Sequence, residues 1–394
     1  MTAPQEIEKK ETLLSQLNWT NVVFLTLTPL IALIGTPIYL KQNGLSWPIA
    51  GLFVFYLIAT GMSITAGYHR LFSHRSYEPN GFIKFLLLFF GAGACQNSAL
   101  KWSSEHRFHH RYVDGVGDPY NIKKGFFYAH IGWVLMKDTN LSFENARDLQ
   151  KDPMIRWQHR NYWLLATLVG FVMPFLFGFF VGAPWGMLLI AGLLRIALVH
   201  HSTFLINSLS HYIGTQPYSI KDSSRDNILT AFLTFGEGYH NFHHKFQFDY
   251  RNGIRWYHWD PTKWTIKFLE TIHFVKKLRK VSDETIFQAK IEAEREKLQL
   301  KVARVCRKLP EGLEQKLNLA QEKLLSAQLK WNQIREEYRR VKHSIDNRRI
   351  EILNALRAEL EQAKRQFKEA YESWKDLIRE FYRVYANPRL TPSA

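Results

Sequence analysis

Four long apolar stretches constrain the fold of this chain more than any other feature of its sequence. They lie at residues 21–40, 47–67, 162–181 and 184–206. A transmembrane helix needs about 20 mostly apolar residues, and the bilayer core holds no water to satisfy open backbone groups. The stretches therefore predict four membrane-spanning α-helices and exclude a soluble globular fold for this part of the chain.

A fifth apolar stretch, residues 82–99, is shorter and contains Lys84. It predicts an in-plane or re-entrant helix packed under a cap rather than a fifth span. The fourth span carries Arg195 near its middle. Because an unpaired charge is costly inside a bilayer, this side chain is expected to face the interior of the helix bundle.

Charge predicts the orientation of the spans. The connectors at residues 41–46 and around Gly182 hold one basic residue between them, whereas residues 68–160 are rich in Lys and Arg. By the positive-inside rule the short connectors lie outside. Both termini are then expected in the cytoplasm, in a bacterial inner membrane or the endoplasmic reticulum.

Composition divides the chain into a predicted membrane domain, residues 1–275, and a basic helical tail, residues 276–394. The tail holds 28 Lys and Arg against 18 Asp and Glu. Its apolar residues recur every seven positions at Leu317, Leu324, Trp331, Tyr338, Ile345 and Ile352. This repeat predicts a coiled coil that self-associates or docks a partner, with a solvated helix or a self-packed hairpin as the alternative. Basic residues alternate with Glu, so nucleic-acid binding is not expected.

Nine histidines cluster in short boxes beside the apolar stretches. They are His69, His74, His106, His109, His110, His211, His240, His243 and His244. Spacings of three and four residues place side chains on one helix face, so the second and third boxes each present three imidazoles together. Nine nitrogens exceed the shell of one ion and suit two transition-metal ions with a position open for a reactant.

The first box has a different spacing. His69 and His74 are five residues apart, which is roughly 140° around an ideal α-helix. The pair is therefore expected to straddle the site or to lie where the helix unwinds.

The boxes and their surroundings resemble one known family. The segments that carry the resemblance are Tyr68-His-Arg-Leu-Phe-Ser-His-Arg-Ser-Tyr77, Glu105-His-Arg-Phe-His-His110, Gly125-Phe-Phe-Tyr-Ala-His-Ile-Gly-Trp133, Asn207-Ser-Leu-Ser-His211 and Gly236-Glu-Gly-Tyr-His-Asn-Phe-His-His244. Together, over about residues 20–270, they look like the membrane-bound acyl-CoA desaturases of the stearoyl-CoA, or delta-9, type. The resemblance implies an all-α integral membrane protein with four transmembrane helices and a cytoplasmic helical cap that holds a di-iron site.

The resemblance also implies an activity. The family uses O2 and two irons to introduce a cis double bond into a saturated acyl chain, with the nine matched histidines as ligands and Asn207 reaching one iron through water. No catalytic residue beyond these ligands is expected, because unactivated C–H bonds demand a redox metal rather than acid–base side chains. The chain lacks a His-Pro-Gly-Gly segment typical of an attached heme domain, so a separate b-type cytochrome or ferredoxin is expected to donate electrons.

Carboxylates beside the boxes are candidates to orient the ligands, because a metal-bound imidazole usually donates its other N–H to a carboxylate or carbonyl. Glu105, Asp118, Glu237 and Asp249 are so placed. Glu105 and Glu237 are the preferred predictions.

Substrate contacts follow from the resemblance. Phe53 and Leu57 match the positions that close the family's acyl tunnel, and the bulk of Leu57 predicts chains of about sixteen carbons or fewer, because overpacking a closed end is costly. Possible contacts to the acyl carrier are Lys101, Lys123, Lys124 and Lys137. Coenzyme A is expected ahead of acyl carrier protein or glycerolipid, although Ser104 and the pair Lys137-Asp138 depart from the charged pairs of the animal enzymes.

Two other classes share parts of this pattern. A membrane di-iron hydroxylase would use the same boxes. A His-lined metal transporter would instead place its ligands near the bilayer midplane, whereas these boxes lie at or beyond the cytoplasmic ends of the predicted spans.

Overall fold

The structure, a computed structural model, describes residues 12–137, 142–306, 312–343 and 350–385. Asp138, Ile345 and both chain termini lie outside these ranges. The chain divides into two compact units, the first comprising Met1–Thr215 and Asp222–Lys280 and the second Gln216–Lys221 and Val281–Ala394.

Helices make up most of the first unit. In chain order, the principal ones are α1 (Trp19–Asn43), α2 (Trp47–Ser73), α3 (Gly81–Gly93), α4 (Ala99–Tyr112), α5 (Pro153–Arg160), α6 (Tyr162–Phe179), α7 (Pro184–His211), α8 (Ile228–Leu233), α9 (His240–Lys245) and α10 (Pro261–Thr271). Shorter helical segments lie at Leu13–Gln16, Ile122–Lys124, Tyr128–Gly132, Trp133–Leu135, Glu144–Ala146 and Arg147–Lys151.

Within the described residues, four helices are long and apolar enough to cross a membrane, as predicted: α1, α2, α6 and α7. Helix α3 has 13 residues. At 1.5 Å per residue it is about 20 Å long, less than the hydrocarbon thickness of about 30 Å. The protein is therefore an all-α membrane protein with four candidate spans.

Local sequence signals set the ends of these helices. The side chain of Asn18 accepts a hydrogen bond from the backbone N of Asn21 (3.3 Å) and caps α1. Helix α1 ends at Gly44, whose φ of 71° is readily adopted by glycine. Asn80 and Ser98 cap α3 and α4 in the same way as Asn18.

Among the described residues of the first unit, the strands are two short ones. Strand β1 (Glu78–Pro79) pairs antiparallel with β2 (Val275–Lys276). Beyond β2, the backbone N of Arg279 donates to the carbonyl of Ser76 (2.8 Å). These bonds extend the first unit to Lys280, past the predicted boundary at residue 275.

Arg195 is fully buried within α7. Its guanidinium donates to the carbonyls of Gly93 (2.5 Å), Gly170 (3.2 Å) and Ala191 (3.1 Å). It also lies 5.4 Å from the ring centroid of Tyr56. The guanidinium thus faces the interior of the helix bundle, as expected. Its partners are mainly backbone carbonyls, which a pattern of side chains in the sequence cannot indicate.

The described residues of the second unit form three helices: α11 (Asp283–Cys306), α12 (Leu313–His343) and α13 (Ile350–Tyr385). Their shared core includes Leu317 and Leu324 of the heptad series and Trp374, all fully buried. The indole N–H of Trp374 donates to Glu294 (3.0 Å). These two heptad positions thus pack within the chain, as in the self-packed alternative.

Candidate metal centre

The first histidine box lies on a π-helical segment, Ser63–Ser73, at the end of α2. The backbone N of His74 donates to the carbonyl of His69 (3.2 Å), a hydrogen bond between residues five apart. In a π-helix this spacing is one turn. The two rings therefore lie on the same side, with centroids 4.9 Å apart. The pair was expected to straddle the site or to lie where the helix unwinds. Instead, the wider turn of the π-helix brings both rings to the same side.

The other ligand candidates lie on α4, on α9 and at the end of α7. The structure brings all nine together in two groups, in each of which the candidate ligand atoms lie within 4.8 Å of one another. The larger group is His69, His74, His106, His110 and His243, and the smaller group is His109, His211, His240 and His244.

The Nε2 atoms converge inside each group. In the five-histidine group, Nε2 of His243 lies 3.0 Å from that of His69 and 2.9 Å from that of His110. In the four-histidine group, Nε2 of His240 lies 3.0 Å from those of His211 and His244. Neighbouring ligands of one ion are separated by about 3 Å when each metal–nitrogen bond is about 2.0–2.1 Å. The spacing therefore fits a metal shell.

The opposite ring nitrogen, Nδ1, faces polar protein groups in four of the nine. The Glu237 carboxylate lies 2.6 Å from Nδ1 of His69, and the Asp118 carboxylate lies 2.8 Å from Nδ1 of His109. The remaining two contacts are those of Tyr120 to His106 (3.1 Å) and of Ser223 to His211 (2.8 Å).

These outer contacts determine where the protons lie. A neutral imidazole has one N–H, and an ionised carboxylate can only accept. The carboxylates of Glu237 and Asp118 therefore favour the proton of His69 and of His109 on Nδ1, which leaves a lone pair on each inward Nε2. A neutral imidazole with its lone pair directed inward is the form that binds a metal, so this donor set fits transition-metal ions.

Burial supports the same protonation state. Outside the membrane-spanning helices, it lowers the pKa of six of these histidines well below the usual value, and the neighbouring imidazoles lower it further. The six are His74, His106, His110, His240, His243 and His244. These rings are therefore neutral at neutral pH.

Glu237 is held by a buried network. Its carboxylate accepts hydrogen bonds from Arg70 (3.0 Å) and Asn252 (2.7 Å), and Arg70 also donates to Asp260 (2.9 and 3.2 Å). Burial alone would raise the pKa of Glu237, but Arg70 and then His69 lower it below the usual value. The carboxylate stays ionised beside His69.

The two preferred carboxylates occupy different surroundings. Glu237 contacts a ligand candidate, whereas Glu105 is paired with Lys101 (3.8 Å) and lines a cavity. Asp118, which was considered but not preferred, contacts His109 directly. Asp249 is paired with Arg251 (2.7 Å).

An apolar cavity of about 640 Å³ reaches the histidines from among the spans. Its lining includes His69, His106, Asn207 and Leu57. The other predicted tunnel residue, Phe53, packs instead against the buried cluster of Ile49, Met187 and Ile190.

The four lysines predicted near an acyl carrier do not share one environment. Lys101 is partly buried beside Glu105, whereas Lys123, Lys124 and Lys137 are exposed. Lys124 lies 4.6 Å above the ring of Tyr128.

Sequence reasoning missed several side chains that surround the histidines. Tyr120, Ser223, Arg70 and Asn252 contact the ligand candidates or Glu237, and Asp260 accepts a hydrogen bond from Arg70. Arg70 lies within the first box, next to His69, and this adjacency was the one available signal. The others come from loops or helix starts that only the fold brings close.

Comparison with known proteins agrees with the site. A fatty acid desaturase family model matches residues 45–267. "Acyl-CoA desaturase 1" of Saccharomyces cerevisiae is 43% identical over 73% of this chain and 57% of its own length. "Probable acyl-CoA desaturase" of Schizosaccharomyces pombe is 42% identical over 63% of this chain and 51% of its own length. The "sn-1 stearoyl-lipid 9-desaturase" of Synechocystis is 34% identical over 66% of this chain and 80% of its own length.

The chain thus spans little more than half of the length of the two yeast relatives. The matched region contains the nine histidines, Asn207 and Glu237. The family resemblance indicated by the histidine boxes is confirmed. The chain belongs to the fatty acid desaturase family.

Proposed function

We propose that this protein is an O2-dependent fatty acyl desaturase that introduces a cis double bond, of the delta-9 type, into a saturated acyl chain. One observation carries the proposal: an apolar cavity among membrane spans is lined by His69 and His106, which belong to a five-histidine group. An unactivated methylene pair held there would lie beside a redox metal.

The nine histidines would hold two iron ions, with Asn207 as a water-mediated contact to one of them. Bound iron, together with O2, supplies the oxidising power to remove two hydrogens from adjacent methylenes. The protein holds the ligands for this task. Glu237 and Asp118 fix the tautomers of His69 and His109, and burial keeps the neighbouring rings neutral.

The cavity would position the acyl chain. Apolar side chains such as Leu57 and Phe171 line it. In its wall, the side-chain amide of Gln96 donates a hydrogen bond to the hydroxyl of Thr203 (2.9 Å). A chain confined there has few accessible registers, so the same carbon pair is presented to the histidines in each turnover. The apolar lining also excludes water from the reacting carbons.

We propose acyl-CoA as the substrate, with another acyl carrier as the alternative. Two relatives are named for acyl-CoA and one for a stearoyl lipid. The exposed side chains of Lys123, Lys124 and Lys137 offer positive charge for the phosphates of the carrier.

Further elements of the proposal concern the setting of the enzyme. A separate b-type cytochrome or ferredoxin would deliver electrons, and the histidines and both termini would face the cytoplasm. The catalytic domain would comprise residues 1–275 and the tail residues 276–394. Self-association through the tail would use positions other than Leu317 and Leu324, because both are fully buried within the second unit.

Expression in a cell that lacks its own desaturase, followed by fatty-acid profiling with mass spectrometry, tests the activity. We expect new cis-monounsaturated chains. Products with an added hydroxyl would identify a hydroxylase, and unchanged lipids with altered metal uptake would identify a transporter.

The same assay tests the site. His109→Ala and His243→Ala should each abolish the new products without reducing the amount of membrane-inserted protein. His273, an exposed histidine outside both groups, provides the matched control, and His273→Ala should retain activity.

A further inference from the structure

We propose that α8 and α10 carry a membrane-embedded aromatic face, which inserts at the boundary between the headgroups and acyl tails of the bilayer. The face is formed by Leu229 and Phe232 of α8, the loop residue Trp259, Trp264 and Phe268 of α10, and Ile272. These side chains are 40–62% exposed. The proposal concerns the contact of this surface with lipid and holds whatever the protein catalyses.

The face is continuous rather than a scatter of exposed residues. The ring of Phe232 lies 5.3 Å from that of Trp259, which lies 5.6 Å from that of Trp264. Trp264, Phe268 and Ile272 follow at intervals of four residues and so share one side of α10. A contiguous exposed apolar patch on a protein marks a contact with another protein or with a membrane.

The opposite side of α10 is already used. Thr262 and Ile266 are fully buried, and Lys263 is 8% exposed. The apolar residues of the aromatic face are therefore not needed to pack α10 against the rest of the first unit.

The depth of α10 relative to α2 points to lipid as the occupant. The hydroxyl of Thr262 lies 2.7 Å from that of Thr65 and 3.8 Å from the sulfur of Met62. Thr65 is no more than about 27 Å along α2 from Trp47 at 1.5 Å per residue. This is within the hydrocarbon thickness of about 30 Å. With Trp47 at the opposite edge of the hydrocarbon core, where α2 begins, the start of α10 lies at the near edge of that core.

The aromatic face also continues the lipid-facing surface of α2. Ile58 precedes Met62 by one turn on the same side of α2, and it is 48% exposed. Trp259 and Trp264 lie within three residues of Thr262 in sequence. Trp is enriched where proteins cross the membrane interface.

The aromatic face borders the cavity as well. Phe232 and Trp259 line the cavity in addition to being exposed. If the cavity holds an acyl chain, which rests on the proposed function, one layer of side chains separates that chain from lipid.

Spin labels at single cysteines test the depth in lipid nanodiscs. Phe268→Cys reports on the aromatic face, and Val116→Cys, at a fully exposed apolar residue outside it, is the matched control. Both are made in the full-length chain with Cys95→Ser and Cys306→Ser. We expect the ratio of accessibility to O2 over that to a water-soluble nickel chelate to be several-fold higher at position 268 than at position 116.

Equal ratios at the two positions would overturn the proposal, because the aromatic face would then lie in water. Dipolar broadening at position 268, or shielding from both reagents, would also overturn it by revealing a protein contact. A second measurement needs no cysteine substitutions. Brominated lipids should quench the tryptophan fluorescence of the full-length native protein more than that of the Trp264→Phe variant, and equal quenching would contradict a lipid contact at this residue. Neither measurement depends on desaturation, so failure of either leaves the proposed function to its own test.

Discussion

At the scale of single residues, the site depends on buried carboxylates that contact the histidines and are shielded from solvent. Glu237 is 2% exposed and lies between His69 and Arg70. Arg70 is in turn held by Asp260, which also accepts backbone hydrogen bonds from Asn252, Gly253 and Lys263. The orientation of one ligand candidate is thus tied to the start of α10.

The first prediction concerns Glu237→Gln. It removes the charge that holds the N–H of His69 on Nδ1, and it replaces one of the two acceptor oxygens, which serve Arg70 and Asn252, with an amide NH2 that can only donate. Loss of such an outer partner typically lowers metal affinity or activity about 10–100-fold. We expect iron per chain and turnover to fall within this range. Glu105→Gln should cause a smaller loss, because Glu105 is paired with Lys101. Equal losses for the two variants would contradict the orienting role of Glu237.

A second prediction at this scale concerns pH. Partial burial raises the pKa of Asp148, but Arg107 and then Arg75 lower it to about 2. Arg107 also donates to the carbonyls of Phe72 and Ser73 at the end of the first box. A carboxyl whose folded pKa is depressed contributes stability above its unfolded pKa of about 4, and that stability is lost as pH falls toward 2.

Because Asp148 is half-buried, we expect its contribution to be about 1 kcal/mol after solvent screening. The melting temperature of the purified protein should therefore exceed that of Asp148→Asn at pH 6, and the difference should shrink as pH falls below 4. A difference that stays constant down to pH 3 would show that the ion pair is not its source.

At the scale of elements, the first box shows where sequence reasoning stops. Residue types and spacing predicted that the nine histidines bind metal together, and the structure places them in two groups. The placement of His69 and His74 on one side could not be predicted, because an α-helical period was assumed and the segment is π-helical. Such a turn depends on tertiary packing around α2. Ser223 was likewise out of reach, since a loop brings it to His211, whereas Asp118 was a candidate from its position beside the second box and contacts His109.

The third prediction concerns the wall that α2 contributes to the cavity. Leu57 lines the cavity, whereas Phe53 packs against Ile49 and Met187. Leu57→Ala should lengthen the space available to an acyl tail, and each added methylene buried there gains about 0.8 kcal/mol. We expect a shift toward longer products with the double bond at an unchanged distance from the carboxyl end.

Phe53→Ala is the matched control for this variant. It should lower stability through a cavity in its own cluster and leave the product lengths unchanged. Identical chain lengths for Leu57→Ala and the native protein, or a moved double bond, would show that Leu57 does not limit the chain.

At the scale of the whole molecule, the apolar stretches predicted the four spans, and the structure has helices of spanning length at each of them. The predicted ends of the spans were less accurate than their positions. Helix α7 continues to His211, beyond the predicted residue 206, because the sequence becomes less apolar before the helix ends. The short pairing of β1 with β2 had no sequence signal, since two residues per strand show no alternation.

The fourth prediction concerns the tail. All nine histidines and the residues that line the cavity belong to the first unit, and the described core of the second unit is formed by its own helices. A chain that ends after Lys280 should therefore insert into the membrane and desaturate when it is given an electron donor. Lipid profiling of cells that express it provides the measurement. A well-inserted truncated protein without activity would show that the tail takes part in catalysis or in recruiting the donor.

We expect the two histidine groups to hold two irons. The most direct measurement is metal analysis of the purified, full-length protein after anaerobic reconstitution, with elemental analysis for the amount and Mössbauer spectroscopy for the iron state. We predict about two irons per chain, because nine converging nitrogens exceed the shell of one ion. The Mössbauer signals of both irons should be those of iron with mainly nitrogen ligands. One metal ion per chain, or none, would show that the nine histidines do not form a di-iron site.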